Sequence, residues 1–207
     1  MYEVELKSND LKEYVYLKLE KDRKQPIYDT DLNKITEVYL NALDFLGDKT
    51  DITIYDLVFF KNLKVCYLKN LMISDKEVDI INNLKKLECL QLTNCEFTGE
   101  KMLNMNIDFL ALDKCDNVNI SIYTELENLK SLQLLNCINV NIEDISKLEN
   151  LEELYLNNLN MDDINEVCKL KKLKYLNLNG SNIKKLDKIK AMTNLEINYE
   201  EKNCIYD

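Results

Sequence analysis

The sequence predicts an α/β solenoid: a curved horseshoe of repeated units, with a parallel β-sheet on the concave face and short helices or 3₁₀ turns on the convex face. Three observations carry this prediction. One spacing occurs three times in succession, at Leu129, Leu132, Leu134 and Cys137, at Leu151, Leu154, Leu156 and Leu159, and at Leu173, Leu176, Leu178 and Ser181; these are offsets 1, 4, 6 and 9 of units 22 residues long. The same offsets extend upstream to Ile107, Leu110, Leu112 and Cys115, to Leu87, Leu90, Leu92 and Cys95, to Leu63, Cys66, Leu68 and Leu71, and to Ile35, Val38, Leu40 and Leu43. Finally, three Gly and one Pro in 207 residues leave almost no linker, so the array is one continuous core. A fixed period in the twenties marks stacked units, none of which buries its apolar face alone.

Taken in order, residues 1–34 are the least periodic. A solenoid needs its first apolar face covered, so this segment is expected to cap the array. Within it Tyr14 to Glu20 alternates weakly and is expected as a strand, while Leu11, Tyr14, Tyr16 and Leu19 could also count as a degenerate unit. Pro26 follows a polar run and marks a turn. From Ile35 to Glu200 about eight units follow, starting at 35, 63, 87, 107, 129, 151, 173 and 192. Ser74 and Glu77 form a capping box ahead of Val78, Ile81 and Leu84, which predicts a helix. The return segment Ile142 to Leu148 is short enough for a 3₁₀ turn, and Asp162 to Leu170 is expected to be helical. Val118 and Val140 arrive one residue late after Cys115 and Cys137, so a small bulge is expected in those two turns. The last unit is framed on Met192, Leu195 and Ile197, with polar Glu200 at its ninth position, and residues 201–207 form a tail.

The pattern L-x-x-L-x-L-x-x-N/C, quoted from Leu129 to Cys137 and its repeats, resembles the leucine-rich repeat family. The short units look like the internalin or phosphatase-regulatory type; the Cys-rich caps of the longer extracellular receptor type are missing. The resemblance implies a non-catalytic binding scaffold. It names no partner.

Composition narrows the function further. A formal net charge of −10 disfavours nucleic acid, whose affinity depends on Lys and Arg neutralising phosphates. No apolar run approaches the length of a membrane span, and the opening decapeptide lacks the pattern of a signal peptide. Seven Cys and no His offer neither a C-x-x-C pair nor zinc spacing. Cys95, Cys115 and Cys137 all occupy offset 9 and read as small buried hydrophobes, consistent with a reducing compartment and a cytoplasmic location.

No catalytic constellation stands out. Without His there is no usual general base and no Ser/His or Cys/His pair. Gly47, Gly99 and Gly180 are too dispersed for a phosphate loop. Asp29-Thr30-Asp31-Leu32-Asn33 imitates a calcium loop but places Lys34 and Leu40 where Gly and Glu are required. Cys89, Cys168 and Cys204 are conceivable nucleophiles with no activating partner, and Asn119-Ile120-Ser121 is a formal glycosylation sequon. The chain is therefore expected to be no enzyme and to need no cofactor or metal.

What remains is the concave face. Side chains at offsets 3, 5, 7 and 8 should point away from the core, and stacking should align them in rows. The candidate protein-binding residues are Tyr39, Tyr67, Gln91, Phe109, Gln133, Leu135, Glu153, Tyr155, Tyr175 and Asn177. Aromatic anchors among amides suit recognition of a partner protein. Toxin neutralisation or an effector role is a narrower version of that reading, and an adaptor or regulatory subunit of an enzyme differs only in the partner. A structural alternative comes from charge: an acidic stretch from Glu143 to Glu166 precedes a Lys-rich one from Lys169 to Lys190, so molecules could associate through them. Either monomer or self-associating state is compatible with the sequence.

Overall fold

The computed structural model describes residues 1–41, 54–101, 103, 105–115 and 126–200. Leu43, Gly47, Val118, the sequon, Cys204 and the tail 201–207 lie outside them.

The chain opens with a helix, α1 (Asn9–Lys18), where a strand over 14–20 was expected. The physical reason is the spacing of Leu11 and Val15, four apart, which bury on one helical face while Lys12, Leu17 and Lys18 point to solvent. Ser8 caps the helix, its hydroxyl accepting from Leu11 N–H at 3.3 Å. A second short helix, α2 (Asp29–Leu32), occupies the stretch that imitates a calcium loop. Asp31 turns inward there, its carboxylate accepting from Tyr28 N–H at 3.0 Å and pairing with Lys21 at 2.8 Å. The side chains of α1 join the same core as the array, and Tyr14 donates its hydroxyl to Glu37 O at 2.8 Å on the first strand.

Eight strands then build one parallel sheet. In spatial order they are β1 (Glu37–Asn41), β2 (Val65–Lys69), β4 (Cys89–Thr93), β6 (Phe109–Asp113), β7 (Ser131–Leu135), β8 (Glu153–Asn157), β10 (Tyr175–Asn177) and β12 (Glu196–Asn198). Each unit's offset-4 and offset-6 residues point into the core; from Val38 and Leu40 to Leu176 and Leu178 every one is at most 3% exposed. This is the period-2 alternation of a strand with one buried face, repeated without a slip across seven strands.

The convex side is lighter. Between the main strands run α3 (Asp75–Asn82), α4 (Ile142–Ile145) and α5 (Asp187–Lys190), together with two small parallel pairs, β3 (Met72–Ile73) with β5 (Glu96–Phe97) and β9 (Asn160–Asp163) with β11 (Asn182–Lys185). The capping box of α3 forms as its sequence predicts: Glu77 accepts from Ser74 N–H at 3.0 Å while Ser74 Oγ accepts from Lys76 N–H at 3.2 Å. Two expectations are corrected. Ile142–Ile145 is a short α-helix, capped by Asn141, whose side chain accepts from Glu143 N–H. The stretch 162–170 is not one helix; it finishes β9 and continues as a 3₁₀ turn over Asn165–Lys169. Ile164, Val167 and Leu170 are all fully buried three residues apart, which is the 3₁₀ period.

The last unit is also corrected. Pairing sets Leu176 opposite Ile197 and Tyr175 opposite Glu196, two residues later than the frame built on Leu195. Ile197 therefore fills the offset-4 position, and Glu196 moves into the offset-3 row. Ile197 and Tyr199 are only half-buried.

Candidate functional site on the concave sheet

The turn after each strand aims the concave rows. At offset 8 the backbone enters the left-handed region in six successive units: Asn70, Asn94, Lys114, Asn136, Asn158 and Gly180, with φ from 51° to 71°. Asn and Gly tolerate that conformation best, which accounts for five of the six. The Asn side chains link adjacent turns: Asn70 donates to Asn41 at 2.6 Å, Asn94 to Asn70 at 2.6 Å and Asn158 to Asn136 at 3.1 Å. At offset 9 the thiols of Cys95, Cys115 and Cys137 donate to the offset-6 carbonyls of the preceding units, Leu68, Leu92 and Leu112, at 3.4–3.5 Å. Ser181 does the same to Leu156 at 2.6 Å. The Cys137 turn carries a second left-handed residue, Asn139, at the late arrival of Val140. This offset-8 Asn/Gly position was the signal missed in sequence, although its spacing was as regular as the leucines.

With the turns fixed, the concave rows form as stacked lines. Offset 5 aligns Tyr39, Tyr67, Gln91, Ala111, Gln133, Tyr155 and Asn177; offset 3 aligns Val65, Cys89, Phe109, Ser131, Glu153 and Tyr175. Tyr39 is 47% exposed. Tyr67, Gln91, Phe109, Gln133, Leu135, Tyr155, Tyr175 and Asn177 are half-buried, and Glu153 is exposed. Two groups emerge from the ten candidates. Tyr39, Tyr67 and Phe109 line the first half of the sheet around Cys89. Glu153, Tyr155, Tyr175 and Asn177 cluster in the second half: the two tyrosine rings lie 5.3 Å apart at 49°, Tyr155 donates to Glu153 at 3.4 Å and Asn177 to the Tyr175 hydroxyl at 3.2 Å. Gln91 stands on the Cys89 strand within the first group, and Gln133 and Leu135 lie between the groups.

Burial favours the uncharged forms of Tyr67, Tyr155 and Cys89. Burial raises the Tyr67 and Tyr155 hydroxyls above the usual tyrosine range, with Cys89 and Glu37 adding to the first and Glu153 and Tyr175 to the second. Burial, then the Glu37 carboxylate, also raises the Cys89 thiol, which lowers its thiolate fraction and so its value as a nucleophile. A groove of about 850 Å³ lies elsewhere, on the return segments among Asn160, Asp162, Asp163, Lys184 and Lys188, and the Lys184–Asp162 pair at 2.6 Å crosses it.

The two charged stretches of the sequence meet within the molecule. Lys174 pairs with Glu152 at 2.5 Å, Lys184 with Asp162 and Lys185 with Asp163 at 3.9 Å, because residues 22 apart sit side by side in adjacent units. Offset 2 carries a further line of such pairs, Lys64 with Glu88 at 2.6 Å and Lys130 with Asp108 at 3.0 Å.

A parallel sheet built on this leucine register, with left-handed turns and light return segments, defines the leucine-rich repeat fold. Comparison with solved structures agrees. The chain is similar to internalin C2 of Listeria monocytogenes, with 20% identity over 92% of each chain and a TM-score of 0.64. It is also similar to a leucine-rich repeat protein of Leptospira interrogans, with 24% identity over 70% of this chain and 39% of that one, at a TM-score of 0.50. No family model matches the sequence. No curated protein matches it either. Among the described residues no helix is long and apolar enough to cross a membrane.

Proposed function

We propose that the chain is a non-catalytic scaffold that binds a partner protein through its concave sheet. The observation that carries this reading is the set of half-buried and exposed aromatics, Tyr39, Tyr67, Phe109, Tyr155 and Tyr175, spread over two outward rows of one face whose turns repeat one backbone conformation. Rigid aromatic side chains lose little entropy on binding and dominate interface energetics. On this reading residues 1–34 cap the array, residues 35–200 present the surface and residues 201–207 form a tail. The free cysteines among the described residues fit a reducing compartment, the cytoplasm. Nucleic acid and membrane are not the expected partners, and the reading needs no cofactor.

The test is a pull-down from native lysate with the wild type beside the Tyr67→Ala/Tyr155→Ala double variant, read by mass spectrometry. A protein retained by the wild type and lost by the variant supports the concave face. Equal retention by a folded variant overturns it.

A further inference from the structure

We propose that the concave face accepts a cationic protein segment, with its Lys or Arg side chains seated along the row Glu153, Tyr175, Glu196. The proposal rests on the concave-face reading and adds the chemistry of the partner.

The row exists because of the corrected register at the last strand. Glu153 is opposite Tyr175 on the neighbouring strand and Tyr175 is opposite Glu196 on the next. Strand spacing sets the two acidic positions about 10 Å apart with an aromatic ring between them. The Tyr155 ring stands beside that of Tyr175, and Ser131 and Tyr155 both donate to Glu153 Oε2, at 3.2 and 3.4 Å, which orients the carboxylate.

Several carboxylates on adjacent strands and return segments are already neutralised within the chain, while those of the row are not. Glu88, Asp108, Glu152, Asp162, Asp163 and Glu166 each pair with a lysine of the chain. Among the described residues, Glu153 and Glu196 do not. Among the described residues the outward rows carry Glu37, Asp113, Glu153 and Glu196 against Lys69 and, in the turn after Asp113, Lys114; neither lysine lies on the strands of the row. A neutral or acidic partner covering this face would strand carboxylates away from water without counter-charges, and their desolvation opposes such a complex. A cationic one neutralises them and gains the faces of two tyrosines. Charge complementarity thus selects the partner.

The experiment measures anisotropy of two fluorescein-labelled twelve-residue peptides, an Arg-Ala repeat and a Glu-Ala repeat. Four proteins are compared: the wild type, Glu153→Gln/Glu196→Gln, Tyr175→Leu, and a control, Glu100→Gln/Glu149→Gln, which removes the same charge from exposed positions off the row. The Arg peptide should bind the wild type and the Glu peptide should not. Affinity should fall about tenfold in Glu153→Gln/Glu196→Gln and in Tyr175→Leu, and less than about twofold in the control. Absence of Arg-peptide binding, or equal loss in the control and the row variant, overturns the proposal. Glutamine keeps the acceptor that Ser131 and Tyr155 use, and unchanged circular dichroism and melting establish that each variant folds. A lysate partner that is lost with Tyr67→Ala/Tyr155→Ala yet is indifferent to Glu153→Gln/Glu196→Gln would overturn the cationic segment and leave the concave-face reading standing.

Discussion

Gly180 makes room for Asn158: a Cβ built on the glycine would stand 2.0 Å from Asn158 Oδ1. Gly180 also holds φ at 71°, where an L side chain is strained. Gly180→Ala should therefore cost about 1–3 kcal/mol. Lys114 adopts φ 51° at the equivalent turn of another unit, so Lys114→Gly should lose nothing and gain up to about 1 kcal/mol. Urea unfolding of the two variants checks the opposite signs; equal destabilisation would contradict the role given to offset 8.

Leu132 and Leu154 are fully buried at offset 4 of neighbouring units. Either Leu→Ala change should cost about 2–5 kcal/mol, because the layers above and below cannot collapse into the space. Leu17→Ala, at an exposed position of α1, should cost less than about 0.5 kcal/mol. A near-zero loss at Leu132 would mean that the repeat frame is wrong.

The Cys66 thiol is pushed up to about 12 by burial, with the neighbouring Cys89 adding to it. Its folded value lies above that of an unfolded thiol, about 8.5, so the folded state holds the proton more tightly. Stability from this group is intact below about pH 8.5 and falls by about 1.4 kcal/mol per pH unit as pH rises toward 12. Subtracting the pH profile of Cys66→Ala from that of the wild type isolates the slope from other titrating groups. A flat difference between pH 9 and 11 would refute it.

The Lys174–Glu152 and Lys184–Asp162 pairs are intramolecular and exposed, so solvent screening leaves each with little effect on stability. Their consequence is for association. Because each charged stretch already meets its complement within the chain, light scattering should report one molecular weight at low and high salt. Growth of the particle at low salt, reversed by added salt, would revive assembly through these patches.

The fold was legible because offsets 1, 4 and 6 encode burial directly, and burial in a repeat array has only one geometry. Residues 1–34 were harder: Tyr14 and Tyr16 suggested alternation, while the pair that decided the outcome, Leu11 and Val15, spoke for a helix only once it had a core to face. At the end of the array Leu195 imitated the offset-4 leucine, yet pairing chose Ile197, since hydrogen bonds to the preceding strand fix register where sequence offered two apolar residues in alternation. That choice also hid the Glu153, Tyr175, Glu196 row, which follows from the register. The ten candidate residues were placed on one face by period alone, whereas the contact between Tyr155 and Tyr175 runs diagonally between strands and no single repeat contains it.

The line of charges at offset 2 has a bearing on how such an array can change length. Lys64, Glu88, Asp108, Lys130, Glu152 and Lys174 succeed one another, with opposite signs paired at 64 with 88, 108 with 130 and 152 with 174. Excising residues 129–150 would bring Asp108 against Glu152, two like charges, while excising 129–172 would bring it against Lys174. Excising residues 87–106 would instead bring Lys64 against Asp108, opposite charges, so the electrostatic cost of losing a unit depends on which unit leaves.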